Sequence, residues 1–318
     1  MLKTVPVEQA QVYVPPKRSI WKEYRRHSFL FYLLIPGLLW YAIFHYGPLY
    51  GIQLAFKDFR IVEGIWGSAW VGFKHFESMF FISEQFPRIL KNTIVISFYH
   101  IIFGFPAPII LALLFNEIRL KLFKRITQSI SYLPHFLSWV VMGGLLAEFL
   151  SPSTGVVNYI TGLFGVEPIY FMADPNYFRF TLVLSGIWKE IGWGTIIYLA
   201  ALASIDPTLY EAAIADGANR WKQMIHITIP SILPVISIMF LLRIGGLLDA
   251  GFDQVLNLYN AAVYSTGDIL DTYVFRVGIQ QLQYSLTTAV GLFKNVVGLI
   301  MVLSANYIIK KMGQDGLY

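Results

Sequence analysis

Six apolar runs, each long enough to cross a bilayer, leave this chain few folds to choose from. They cover 29–56, 93–115, 126–149, 180–203, 227–248 and 287–309. A spanning helix needs about 17–25 mostly apolar residues, so the runs predict an all-α polytopic membrane protein with six transmembrane helices. The first three carry no Lys, Arg, Asp or Glu except Glu148 near one end. The last three hold Lys189 and Glu190, Arg243, and Lys294. Charged residues make up 14% of the chain and hydrophobic ones 56%, whereas soluble domains are about one quarter charged. No stretch marks a second, soluble domain.

The net charge of +5 is explained by where the lysines and arginines sit. Six spans put both termini on one side. On that side lie Lys3, Lys17, Arg18, Lys22, Arg25 and Arg26, the "NEIRLKLFKR" loop, Arg220 and Lys222, and Lys310 and Lys311, fourteen in all. The opposite loops hold seven: Lys57, Arg60, Lys74, Arg88, Lys91, Arg179 and Arg276. Positive charge concentrates in cytoplasmic loops, so both termini are expected in the cytoplasm. The charge therefore reports topology and not nucleic-acid binding. The first 27 residues are polar and basic, and predict a tail, not a cleaved secretory signal. Without cysteine there is no disulfide, thiol nucleophile or thiolate metal site. The three outer segments 57–91, 151–179 and 249–286 are long, as functional or partner-covering loops are.

One cytoplasmic loop departs from this greasy pattern: "DPTLYEAAIADGANRWKQMIHITIP", residues 206–230. Asp206 offers an N-cap oxygen and Pro207 suits the first helical position. Leu209, Ala212 and Ala213 share a helical face, and Gly217 breaks the helix. A second short amphipathic helix is expected through Trp221, Met224, Ile225 and Thr228, with Pro230 and Pro234 marking the start of the next span. A helix lying on lipid headgroups favours a basic polar face. This one sets Asp206, Glu211 and Asp216 against Arg220 and Lys222, which favours docking into a groove of another protein.

Glu211-Ala212-Ala213, Gly217 after three further residues, and Ile227, Ile229 and Pro230 nine residues on resemble the EAA loop of ABC importer permeases, with Ile229 where leucine is usual. Likeness extends over most of the chain. "WVGFKHFESMF" looks like the first external loop of sugar permeases, and "YLPHFLSWVVMGGLL" and "YSLTTAVGLFKNVVGLI" look like their third and sixth spans. Permeases for oligosaccharides from complex polysaccharides are the nearest match. The resemblance implies the type I importer permease fold in the inner membrane of a prokaryote. It divides the chain into a tail (1–27), a first helix and external loop (28–88), a five-helix core with the coupling loop at 205–229 (89–311), and a C-terminal tail (312–318). It also implies that Glu211, Ala212, Ala213, Asp216, Gly217, Trp221, Ile227 and Pro230 dock on a separate ATPase. The implied partners are two ATPase subunits using ATP and magnesium, a second, homologous permease subunit, and an extracytoplasmic sugar-binding protein.

The chain itself has no G-x-x-x-x-G-K-[ST] phosphate loop, no H-E-x-x-H and no G-x-S-x-G, so it is expected to be no enzyme and to hold no cofactor. His45, His100 and His135 lie singly in spans, where packing or interface roles are expected before metal ligation. An ion-driven secondary transporter is the alternative function. It calls for acidic residues in the spans or an inverted repeat with interrupted helices, and the sequence offers little of either.

Ionisable groups at membrane depth usually face water or a partner. At 1.5 Å per residue, Lys189, Arg243 and Lys294 each fall about 10–12 Å from the outer end of their spans. They are expected to line an aqueous cavity with Trp188, Trp193, Tyr284 and Asn295 as sugar-contacting neighbours, suited in the sharpest version to a uronate oligosaccharide. The competing expectation is pairing: Lys189 with Glu190, Arg243 with Asp249 or Asp253, and Lys294 extended toward the interface.

Overall fold

The structure is a computed structural model describing residues 28–313 and 316. The basic tail, with Lys3, Lys17, Arg18, Lys22, Arg25 and Arg26, and most of 312–318 lie outside the described residues. The chain divides into two compact units, Met1–Ile52 and Gln53–Tyr318.

Helix α1 (Ser28–Phe56) begins in the first unit, and none of its most apolar window is buried. After Tyr41 it loosens into a π turn, Ala42–Tyr46, and then tightens into a 3-10 segment, Gly47–Phe56. Pro48, which has no N–H to donate, lies just past that change. His45 stacks on Tyr41 at 4.8 Å, the i, i+4 neighbour on the helix surface.

The second unit is built from α2 (Gln85–Glu117), α3 (Lys121–Phe136), α4 (Trp139–Phe149), α5 (Pro175–Ala203), α6 (Pro207–Ala215), α7 (Arg220–Gly245) and α8 (Tyr284–Lys311). A two-stranded antiparallel ribbon precedes α2, with β1 (Lys57–Asp58) pairing Lys57 to Trp70 of β2 (Ala69–Trp70). Among the described residues four helices are long and apolar enough to cross a membrane, or five if α3 and α4 form one span. Lys189 and Glu190 dilute the apolar run of α5, which is 29 residues long. Only 17% of the apolar windows of α2 and α8 is buried. Their remaining side chains face outward, as hydrocarbon permits and water does not.

Helix α5 is the central element. Its buried positions Phe178, Leu182, Ser185, Lys189 and Gly192 share one face, Tyr198 and Leu202 lie on another, and the helix meets α2, α3 and α7. At one end Phe178 and Leu182 join Ile96, Leu146, Val255, Leu258 and Ile269 in a core cluster, and at the other Tyr198 and Leu202 join Ala112 and Ile232.

Two sequence expectations are corrected. The 126–149 run is not one straight helix, because α3 and α4 meet at 107°. Pro134 removes a backbone donor near the end of α3. Leu137 and Ser138 are extended, and Ser138 restarts the chain by accepting the Val141 N–H at 3.3 Å. The stretch after Gly217 is not a separate helix, since α7 runs unbroken from Arg220. A π turn at Met224–Thr228 absorbs the missing donor of Pro230, so that proline lies within the helix. The outer segment 249–286 is well packed. It folds into short helices whose Gln254, Val255, Leu258, Val263, Ile269 and Leu270 are buried. A polar knot holds it: Asp268 takes Arg276 at 2.5 and 3.1 Å, and Asn92 donates to the Asp268 carbonyl at 3.1 Å. Arg179 closes the knot by donating to Asn92 Oδ1 at 2.7 Å.

Candidate functional site

The polar hairpin and an internal cavity are the two places where chemistry-bearing side chains gather. In the hairpin, Asp206 caps α6 by accepting the Thr208 N–H at 2.9 Å, a bond that holds its carboxyl below the usual carboxylate range. The helix ends because Gly217 adopts φ +75°, which lets the Ala218 N–H reach back to the Ala213 carbonyl at 2.8 Å. Asn219 then caps α7 through the Lys222 N–H at 2.9 Å. The hairpin is strapped down by Tyr210 to Thr228 at 3.0 Å and by Arg220 to Glu117, at the end of α2, also at 3.0 Å.

Glu211, Ala212, Asp216, Gly217, Trp221 and Pro230 are exposed, and Ala213 and Ile227 are half-buried. Apolar side chains stand out among them: Ile214 is 63% and Trp221 66% exposed. Glu211 makes no hydrogen bond or ion pair among the described residues. The surface therefore offers an uncommitted carboxylate beside apolar knobs, on a helix with both ends fixed.

The cavity has a volume of about 690 Å³ between α2, α5 and α7 and the segment after α7. Ligand pockets generally span about 300–1,000 Å³. Trp193, Arg243, Asp249 and Asp253 line it, together with Glu190, His100, Gln254 and Tyr198. Trp188, Tyr284 and Asn295 do not. Trp188 and Asn295 are exposed elsewhere, and the ring of Tyr284 lies edge-on to Phe59 at 5.9 Å.

Of the three intramembrane cations, Arg243 is in the cavity wall and Lys189 and Lys294 stand behind it. Lys189 is buried, donates to the His135 carbonyl at 2.6 Å and lies 3.6 Å from Glu190. It thus caps the end of α3, where unpaired carbonyls attract positive charge. His135 in turn meets Glu190 at 2.8 Å and stacks flat on Trp193 at 4.5 Å. Lys294 bridges Asp249 at 2.6 Å and Asp271 at 2.7 Å. Asp271 is a partner that sequence reasoning missed, because 23 residues separate it from Lys294. The wall carboxylates Glu190 and Asp249 are each neutralised from behind. Arg243 makes no hydrogen bond or ion pair among the described residues. His100, expected from the sequence to have a packing or interface role, lies in the cavity wall.

Comparison with known proteins gives these features a family. The model of the binding-protein-dependent transport system inner membrane component matches residues 104–314. Protein LplB of Bacillus subtilis is 46% identical over the whole of both chains. The polygalacturonan/rhamnogalacturonan transport system permease protein YteP of the same organism is 45% identical over 92% of this chain and 91% of its own. Among solved structures, a bacterial ABC transporter involved in import of the acidic polysaccharide alginate contains a chain 43% identical, with a TM-score of 0.85 over 92% of this chain and 98% of that one. A bacterial alginate ABC transporter in complex with an alginate pentasaccharide-bound periplasmic protein gives 42% identity and a TM-score of 0.87 over 94% and 100%. With its cavity, its exposed hairpin and these likenesses, the chain belongs to the family of binding-protein-dependent transport system inner membrane components.

Proposed function

We propose that this chain is one permease subunit of an ATP-driven importer that carries an acidic, uronate-containing oligosaccharide into a prokaryotic cell. In this reading α1, α2, the bent α3–α4 pair, α5, α7 and α8 make six crossings of the cytoplasmic membrane, with both termini in the cytoplasm. The α6 hairpin sits in a cleft of a separate ATPase subunit, and two such subunits supply ATP hydrolysis with magnesium. A second, homologous permease completes the path, and an extracytoplasmic binding protein delivers the sugar. The relatives that handle polygalacturonan and alginate support the class of substrate, because both polymers carry carboxylates.

The observation that carries the acidic substrate is Arg243, a guanidinium in the cavity wall that makes no contact ion pair among the described residues, while the nearby Glu190 and Asp249 are bridged to Lys189 and Lys294. A guanidinium offers five donors and no acceptor, in a fork that fits a carboxylate. Replacing Arg243 by Gln keeps a polar side chain and removes the charge. Such charge-assisted bonds contribute about 1.5–3 kcal/mol, so the KM for an oligogalacturonate should rise roughly 10- to 100-fold. Uptake of a neutral oligosaccharide of equal length should be nearly unchanged. Uptake into liposomes containing the full complex measures this, and equal losses for the two sugars would remove the acidic-substrate reading.

A further inference from the structure

His100 carries an unmet hydrogen-bonding demand. Its side chain is 8% exposed, and its Nε2 is the buried side-chain nitrogen or oxygen left without a partner among the described residues. Leaving such a group unpaired costs about 1–3 kcal/mol, and an orphan of this kind calls for an explanation. The ring sits at the start of the π turn His100–Gly104, where the Phe105 N–H reaches back to the His100 carbonyl at 3.0 Å. Pro106 follows at once and cannot donate. π turns of this sort concentrate at functional sites.

The surroundings cannot satisfy Nε2 from within. Gly186 of α5 faces the ring with no side chain, and a Cβ there would lie 2.9 Å from His100 Cε1. The adjacent amide nitrogen of Gln254 is turned away, donating to the Leu182 carbonyl at 2.6 Å and to Ser185 Oγ at 2.9 Å, and the amide oxygen makes no hydrogen bond to His100. His100 also lines the cavity whose wall holds Arg243.

We propose that His100 is a specificity-determining residue of this cavity, donating through Nε2 to a carboxylate oxygen of a passing uronate whose other oxygen is held by Arg243. The inference rests on the acidic-oligosaccharide reading above. A carboxylate brings two acceptor oxygens and no donor, so it satisfies the imidazole N–H and the guanidinium together. A primary hydroxyl in its place supplies one uncharged oxygen, and so lacks both the second acceptor atom and the charge. In the tautomer that carries its proton on Nε2, the ring is thus satisfied when an acidic sugar unit is present, which makes occupancy selective.

The test uses the complete complex in lipid nanodiscs and liposomes, with an oligogalacturonate and the same oligosaccharide after reduction of its carboxyls to primary alcohols. Equilibrium binding to the complex and the KM of uptake are read for the natural protein, His100→Phe and His100→Gln. With His100→Phe, affinity for the oligogalacturonate is expected to fall tenfold or more, the equivalent of one charge-assisted bond of about 1.5 kcal/mol. Binding of the reduced sugar should stay level, and kcat should change less than KM. His100→Gln keeps a donor at nearly the same reach and should recover part of the loss. Co-purification with the partner subunits checks that each variant assembles. If both sugars weaken together, or neither changes in an assembled variant, His100 is a packing residue and the proposal falls. The natural protein judges the underlying reading separately. If it binds the reduced sugar as well as the acidic one, the acidic-substrate reading fails, and this inference with it.

Discussion

Gly217→Val is expected to abolish coupled uptake while leaving the subunit folded and assembled. Gly217 holds φ +75° at the end of α6, and that backbone shape lets the Ala218 N–H close on the Ala213 carbonyl. An L-residue pays roughly 1–2 kcal/mol in this region, and a β-branched one is a severe outlier there. No atom lies within 4 Å of where a Cβ would be placed, so the fold of the isolated chain tolerates the added volume. The damage is confined to the direction in which α6 hands over to α7. It would place Glu211, Ile214 and Trp221 out of register with the docking cleft proposed above. Gly217→Asn is the informative contrast, because asparagine visits the left-handed region readily. Uptake and sugar-stimulated ATP hydrolysis in liposomes should fall at least tenfold for valine, matching strain of about 1.4 kcal/mol, and should largely persist for asparagine. Wild-type coupling in the valine variant would dismiss the hairpin as the docking element.

The second large effect is expected at Gly192, and it is one of stability. Here α5 runs against the backbone of α3: a Cβ on residue 192 would overlap the Ser131 carbonyl and lie 2.9 Å from the Tyr132 nitrogen. No rotamer change relieves a clash with main chain, so α3 would have to move away from α5. That movement would also pull the His135 carbonyl off Lys189 and leave a buried ammonium without its acceptor. Overpacking alone costs about 1–3 kcal/mol, and an orphaned buried charge adds to it. Gly192→Ala should therefore lower the melting temperature in detergent by several degrees and reduce the yield of assembled complex. Gly291→Ala on α8, where nothing lies within 4 Å, serves as the matched control and should be neutral or stabilising. Similar melting temperatures for the two variants would contradict the close α3–α5 packing.

Much of the helical framework could be read from hydrophobic runs, because a spanning helix must be long, apolar and uninterrupted by charge. Limits drawn at 287–309 and 29–56 met helices at Tyr284–Lys311 and Ser28–Phe56. The failures occur where backbone geometry and apolarity part company. Leu137 and Ser138 are ordinary residues in a greasy run, yet they are extended, and hydropathy carries no information about direction. Pro230 reads as the start of a new helix only if the helix is assumed to be strictly α. The Asp206 cap and the Gly217 turn were legible because each is a local hydrogen-bond requirement met by one residue type. The wall of the cavity was not. Lys189 and Lys294 share a depth with Arg243, but depth along a helix leaves its azimuth open. Their partners, the His135 carbonyl and Asp271, come from elements that sequence spacing does not bring together.

The π turn at Met224–Thr228 sets the rotational phase of everything beyond it in α7. One extra residue in a helix turns the following side chains by about 100° around the axis. Arg243 faces the cavity, and not lipid, because that offset has been inserted between it and the hairpin. Trp221 and Arg243 lie near opposite ends of this one continuous helix, so the exposed hairpin and the cavity wall are joined by a single element.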